Sequence, residues 1–281
     1  MRLGLAAVTV ALCCFASTVF AQTAECGDAE TPCTIEFGTY HLAVPTDVAP
    51  KGIVMHLHGG GGRGRGLLNS GLGRGAVARG YVFVAPDGFH PGTRFERNWS
   101  VKADGSTFPR DDGVFLRDVM ADVRAKTGLG DVPVLLAGFS RGGSMVWDMA
   151  CDDPEFASAY APLAGAFWDA LPETCAAPVM LYHTHGWNDR TVPLEGRAFS
   201  FEGRSVVQGD VWASLKILRA TNGCDARQPE RNSFEDDLWF RHWTDCAAGE
   251  IQLMLHKGGH GAPAGWAARM LDWFESDLSK S

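Results

Sequence analysis

The sequence predicts an α/β protein built on a mostly parallel, doubly wound sheet with helices on both faces. Short apolar runs with β-branched residues alternate with longer stretches of helical periodicity along most of the chain. The short runs are apolar throughout, as strands covered on both faces must be. No internal repeat, low-complexity run or Ser/Thr/Pro linker interrupts the pattern, so one domain is expected.

Residues 1–21 come first. Arg2 supplies a positive start, residues 3–20 are apolar or small, and Val19-Phe20-Ala21 has the small-x-small form of a signal-peptidase site. A secretory signal over 1–21 is therefore expected, with the folded domain over 22–281 and a secreted or periplasmic location. Residues 34–44 predict a leading antiparallel strand. Further strands are expected over 52–58, 81–86, 133–138, 157–162, 178–184 and 250–256. Between them, helices are expected over 67–79, 112–127, 141–150, 208–221 and 264–278; the third of these places Met145, Val146 and Met149 at helical spacing.

Charge narrows the partners. The formal net charge is −8, and removal of Arg2 with the signal would make it more acidic. That balance argues against nucleic acid and anionic membrane surfaces as partners. No later segment is long and apolar enough to cross a bilayer, and a monomer is expected. Six cysteines lie beyond residue 21: Cys26, Cys33, Cys151, Cys175, Cys224 and Cys246. An even number in an exported chain points to disulfides, and proximity in sequence suggests Cys26–Cys33, Cys151–Cys175 and Cys224–Cys246. Metal ligation fits less well, because no C-x-x-C pair is present. No metal is expected.

The chemistry centres on Gly138-Phe139-Ser140-Arg141-Gly142, a G-x-S-x-G motif between a predicted strand and a predicted helix. In that context the serine sits on a sharp elbow with its hydroxyl exposed, and the glycines admit the neighbouring backbone. A serine hydroxyl needs a base, and the base needs an orienting acid. In doubly wound hydrolases these follow in the order acid then histidine, each after a later strand. Asp189 follows the strand over 178–184, and His260 lies in a glycine-flanked loop after the strand over 250–256. His256 falls inside the strand and is expected to be packed. His183 and His185 precede Asp189 and would break the chain order. Directly after the strand over 52–58 comes His58-Gly59-Gly60-Gly61-Gly62, an HGGG-type loop. Gly59 and Gly60, with the amide of Arg141, are the expected oxyanion donors. The same glycines match G-x-G-x-x-G, but a lone match in a glycine run is weak evidence for a dinucleotide, and no cofactor is expected. Trp187, Phe167 and Trp168 lie near strand ends and are candidates to line a substrate pocket.

These pieces together resemble the secreted α/β-hydrolase esterases of the polyhydroxybutyrate depolymerase, feruloyl esterase and acetylxylan esterase group. The resemblance is carried in order by His58-Gly59, Ala85-Pro86-Asp87-Gly88, Asp111-Asp112, Gly138 to Gly142 and Ala150-Cys151. It continues with His185-Gly186, Asp189, Val192-Pro193, Cys224 with Cys246, and Gly258-Gly259-His260. It implies an α/β-hydrolase fold, a Ser140–His260–Asp189 triad and hydrolysis of carboxylic esters. The segment after His260, Gly261-Ala262-Pro263-Ala264-Gly265-Trp266, departs from the group, which often has an aromatic and Trp-Pro-Gly there. A competing class is a non-catalytic oligosaccharide-binding protein on the same scaffold, which would not need all four elements of the site. No surface-binding module is visible, so short hydroxyalkanoate oligomers or polyhydroxybutyrate-type polyester are the expected substrates, soluble oligomers first. Feruloyl or acetyl esters on plant polysaccharide are the alternative.

Overall fold

A computed structural model describes residues 25–90, 92, 97–105, 108–201, 204–224 and 228–278. The expected signal segment over 1–21 lies outside the described residues. In chain order the elements are β1 (Cys33–Ile35), β2 (Gly38–Ala43), β3 (Gly52–Leu57), α1 (Gly64–Leu68), α2 (Gly71–Ala78), β4 (Tyr81–Pro86) and α3 (Asp112–Thr127). They continue with β5 (Val134–Phe139), α4 (Arg141–Asp152), β6 (Ala159–Leu163), β7 (Trp168–Asp169) and β8 (Met180–Gly186). The chain then forms β9 (Arg197–Phe201), β10 (Arg204–Gln208), α5 (Val211–Asn222), β11 (Arg231–Glu235), β12 (Leu238–Trp243), β13 (Glu250–His256) and α6 (Trp266–Leu278).

One sheet of ten strands runs in the order β1-β2-β4-β3-β5-β6-β8-β13-β12-β11. From β4 to β13 every neighbouring pair is parallel, whereas the two strands at each end are antiparallel. Register aligns the carboxyl ends: Leu57 lies beside Gly138, Phe139 beside Leu163, Leu163 beside Thr184, and His256 beside Gly186. The loops after β3, β5, β8 and β13 therefore emerge along one edge, where open α/β sheets place their ligands.

Strand alternation divides the core in two. Ile53, Met55 and Leu57 of β3, with Val82 and Val84 of β4, pack in one cluster with Phe115, Leu116, Val119 and Val123 of α3 and with α4 and α5. Val54, Phe83 and Ala85 face the other way, onto Leu72 and Ala76 of α2 and Met270, Leu271 and Phe274 of α6. Helix α3 shows how local sequence sets an element. Its N-cap Asp111 accepts from the Val114 amide at 3.0 Å, and Gly128 closes the helix at φ 69° with its N–H on Arg124 O.

Four departures from the sequence expectations have physical reasons. Residues 34–44 form two strands, β1 and β2, paired as a hairpin with Ile35 opposite Gly38. The helix expected over 67–79 is two, because Ser70 stops α1 and caps α2 by accepting from Gly73 N. The hairpin β11–β12 extends the sheet beyond β13, and its outer strand is exposed throughout, so it carries no apolar run to read. Strands β9 and β10 join β7 in a separate three-stranded sheet. The three disulfides connect Cys26–Cys33, Cys151–Cys175 and Cys224–Cys246. Among the described residues no helix is long and apolar enough to cross a membrane.

Candidate active site

Ser140 caps α4 at φ 54° and ψ −115°, a conformation that costs a non-glycine residue strain and occurs where packing enforces it. The enforcement is visible in its neighbours. A Cβ on Gly138 would lie 2.3 Å from Gly142 O, and one on Gly142 would lie 2.4 Å from Leu57 O. The serine amide is held by Leu163 O at 2.8 Å, which ties the elbow to β6.

His260 connects the other two expected residues. Its Nε2 is 2.8 Å from Ser140 Oγ and its Nδ1 is 2.7 Å from Asp189 Oδ2. With Nδ1 protonated toward the carboxylate, Nε2 presents a lone pair to the serine hydroxyl. Asp189 is 5% exposed, and its other oxygen accepts from the amides of Thr191 and Val192 at 2.8 and 2.9 Å. Burial alone would raise its pKa; the His260 hydrogen bond and the two amides outweigh that and hold the carboxyl below its ordinary range.

Two loops fix these side chains in space. The Trp187 amide donates to His256 O, and the Asn188 amide to Gly258 O, stitching the acid loop to the histidine loop. His256 shapes the latter: its Nδ1 accepts from Gly258 N at 3.1 Å while Nε2 lies 3.0 Å from Gly261 O. Burial lowers its pKa, which keeps it neutral for that split role. Behind Asp189, His185 Nε2 is 2.7 Å from Val192 O and 3.5 Å from Asp189 Oδ2, and His183 Nε2 reaches His185 Nδ1 at 3.1 Å. Both rings are fully buried, which drives their pKa values down. They support the acid loop from below the sheet edge.

The glycine loop after β3 abuts the elbow. A Cβ on Gly59 would lie 3.4 Å from Ser140 Cβ, and one on Gly60 would lie 3.8 Å from Arg141 Cβ. His58 sets the loop's path: its Nδ1 is 2.7 Å from Gly59 O, and its Nε2 accepts from Gly88 N at 2.9 Å. Gly62 N also donates to Gly59 O. With that carbonyl turned inward, the trans peptide leaves the Gly60 N–H on the opposite side. Asp87 pins the far end by accepting from Gly64 N at 2.9 Å. The Arg141 amide occupies the first turn of α4, where a helix has no internal acceptor for it. The Arg141 amide adjoins Ser140, and Gly60 belongs to the loop that abuts it; backbone N–H groups are donors of the kind that stabilise a developing oxyanion.

The aromatic candidates separate. Trp187 is 55% exposed and its ring lies 6.2 Å from that of Trp239. Phe167 is core, packed on Trp147 at 5.1 Å. Trp168 lies 4.8 Å beneath the Arg141 guanidinium. Phe167 and Trp168 border a cavity of about 170 Å³ whose walls do not include Ser140, Asp189 or His260. The sequence did not signal the Arg141 side chain. It pairs with Asp104 and donates to Trp99 O, and burial pushes its pKa down to about 10, so it stays cationic. Trp266, which follows His260 at a distance, is buried with Nε1 on Thr184 Oγ1 and belongs to the core. Among the described residues no cluster of His, Cys, Asp or Glu could hold a metal ion.

Strand order, elbow and loop positions together define the α/β-hydrolase fold. Solved structures with this architecture include an acetyl xylan esterase from Aspergillus awamori (TM-score 0.65, 17% identity, covering 86% of this chain and 97% of that one). A carboxylesterase from Mesorhizobium loti is similar at TM-score 0.59 and 18% identity, covering 87% and 97%. A Bacillus cereus carboxylesterase is similar at TM-score 0.57 and 12% identity, covering 85% and 94%. No protein-family model matches the chain, and no curated protein matches it either. At these identities the likeness establishes the fold.

Proposed function

We propose that this protein is a serine esterase working through a covalent acyl-enzyme. The observation that carries the reading is His260 bridging Ser140 Oγ and Asp189 Oδ2 at 2.8 and 2.7 Å. His260 takes the serine proton as Oγ attacks the ester carbonyl, and returns it to the leaving alcohol. Asp189 holds the imidazole in the required tautomer. The amides of Gly60 and Arg141, with the Gly59 loop around them, stabilise the oxyanion. Water then attacks the acyl-enzyme by the same proton path in reverse. The steps need no cofactor.

The substrates in this reading are carboxylic esters: short hydroxyalkanoate oligomers first, then polyhydroxybutyrate-type polyester. Feruloyl or acetyl esters on plant polysaccharide are a second reading, favoured by the likeness to the Aspergillus awamori acetyl xylan esterase. Three disulfides support a secreted or periplasmic location, since such bonds persist in oxidising compartments. The test is hydrolysis of a short-chain p-nitrophenyl ester by the disulfide-intact protein beside Ser140→Ala. Activity should fall to background in the variant, and equal activity in both proteins would end the proposal. Parallel rates on hydroxybutyrate oligomers, methyl ferulate and acetylated xylan choose between the substrates.

A further inference from the structure

Residues 231–235 read Arg-Asn-Ser-Phe-Glu, a segment whose two halves are chemically complementary about its centre. These five residues are β11, the last strand of the ten-stranded sheet, and every one is exposed. Phe234 is 72% exposed. A sheet edge of this kind presents unpaired N–H and C=O groups to any extended chain that fits it.

The register decides which groups face outward. β11 and β12 are joined through Asp236-Asp237, with Glu235 opposite Leu238. The residues flanking a two-residue hairpin loop exchange both backbone bonds, and the pattern then alternates. Arg231, Ser233 and Glu235 therefore turn their backbone groups toward β12, and Asn232 and Phe234 turn theirs to the open edge.

We propose that two copies of this chain pair antiparallel through β11, centred on Ser233, to form a dimer with a continuous sheet. In that register Asn232 lies opposite Phe234 of the second copy. Each such pair exchanges two N–H···O=C bonds, so all the outward groups of residues 232 and 234 are used. Arg231 lies opposite Glu235 of the second copy, and the twofold repeats the pairing at the other end. Directly opposite residues on paired strands come within side-chain reach, and opposite charges there favour pairing. Any other register of the same two strands loses at least one Arg–Glu pair.

The surroundings fit this occupant. Phe234 is parallel to Trp239 within 3°, with centroids 5.8 Å apart, on one face of the hairpin. Pairing brings the two Phe234 rings to diagonal positions, still within aromatic reach, and covers the most exposed large apolar side chain among the described residues. Glu235 already meets Arg269 at 2.7 Å, and Arg231 lies 3.4 Å from His242. Both contacts are exposed, and Glu235 would sit between Arg269 and the incoming Arg231. The Glu230 carboxylate is turned inward onto Thr244 N, away from the Asp236 that would arrive beside it. The twofold axis stands perpendicular to the sheet, so the two Ser140 edges point in opposite directions and neither blocks the other.

The test is sedimentation velocity on the disulfide-intact protein from about 1 to 100 μM, a range that brackets micromolar association. The wild type should shift from monomer to dimer across it. Glu235→Arg and Arg231→Glu should each weaken association at least tenfold, and the double variant Arg231→Glu/Glu235→Arg should restore it. Hydrolysis of a small ester should be unchanged per active site in all of them, which also confirms folding. A wild type that stays monomeric at the top concentration would overturn the proposal, and so would a dimer indifferent to either charge reversal or a double variant that fails to recover. The sedimentation outcomes stand whether or not the esterase reading holds; only the hydrolysis control rests on it, and equal far-ultraviolet circular dichroism confirms folding independently.

Discussion

Replacing Asp189 by asparagine isolates what the carboxylate contributes. The two amides that hold Oδ1, from Thr191 and Val192 at 2.8 and 2.9 Å, have an equivalent acceptor in the asparagine carbonyl, so the loop should keep its path. The atom facing His260 Nδ1 at 2.7 Å then becomes an NH₂ donor. Two donors cannot share that contact, so the imidazole adopts the tautomer with Nδ1 bare and Nε2 protonated. Nε2 then presents a proton to Ser140 Oγ, where the mechanism needs a lone pair. The effect of this wrong tautomer in a Ser-His-Asp site is about 10⁴ in kcat, or roughly 5 kcal/mol of barrier. The assay is steady-state hydrolysis of a short p-nitrophenyl ester at neutral pH, with melting temperature measured alongside. A fall in kcat of less than about tenfold in a variant that melts like the wild type would refute the tautomer argument.

Four further outcomes follow from the same structure. Cys151→Ser should lower stability by about 3 kcal/mol, since the Cys151–Cys175 bridge closes a loop of sequence separation 24; peptide mapping and thermal melts check it. It should also reduce activity, because that bridge joins the end of α4 to the segment leading into β8. Gly142→Ala should fail to accumulate or lose activity, because its Cβ would fall 2.4 Å from Leu57 O and 2.5 Å from His58 O. For pH, Asp189 and Asp87 are both held below the ordinary carboxylate range; burial opposes this, but His260 and amides on Asp189, and His41, Thr39 and Gly64 on Asp87, outweigh it. Their stabilisation is complete above about pH 4 and is lost as pH falls toward the depressed values, so Asp87→Asn should flatten the acid side of a melting-temperature profile. Asp148 behaves oppositely: burial raises its pKa to about 7, so the fold loses stability as pH rises from about 4 toward 7. Asp148→Asn should therefore raise the melting temperature by several degrees at pH 8 and change it little at pH 4.

The parts of this molecule that sequence reveals are those where burial and local chemistry agree. Strands over 81–86 and 250–256 and the helix over 112–127 match the structure at both ends, since an apolar run or a capped amphipathic stretch admits one reading. Ser140, Asp189 and His260 were legible because each follows a buried strand, and the elbow needs glycines that the motif displays. The edge strand Arg231–Glu235 was not, because all of its side chains are exposed and it carries no apolar alternation. The supporting histidines were hidden for another reason. His58 takes its backbone partner Gly88 from far along the chain, whereas His185 and His256 meet Val192 and Gly261 of the loops that follow them, and only the folded path of those loops brings the groups together. Phe167 and Trp168 are both buried, since an aromatic after a strand end packs inward as readily as it lines a pocket.

In the proposed mechanism Ser140 becomes covalently acylated by virtue of His260 and Asp189. The most direct measurement is intact-mass and peptide mass spectrometry after exposure to a fluorophosphonate, a probe that phosphonylates activated serines. A single adduct is expected, located on Ser140, formed quickly in the wild type and strongly slowed in His260→Ala and Asp189→Asn. An adduct on another residue, or ester hydrolysis that continues with Ser140 unmodified under saturating probe, would contradict it.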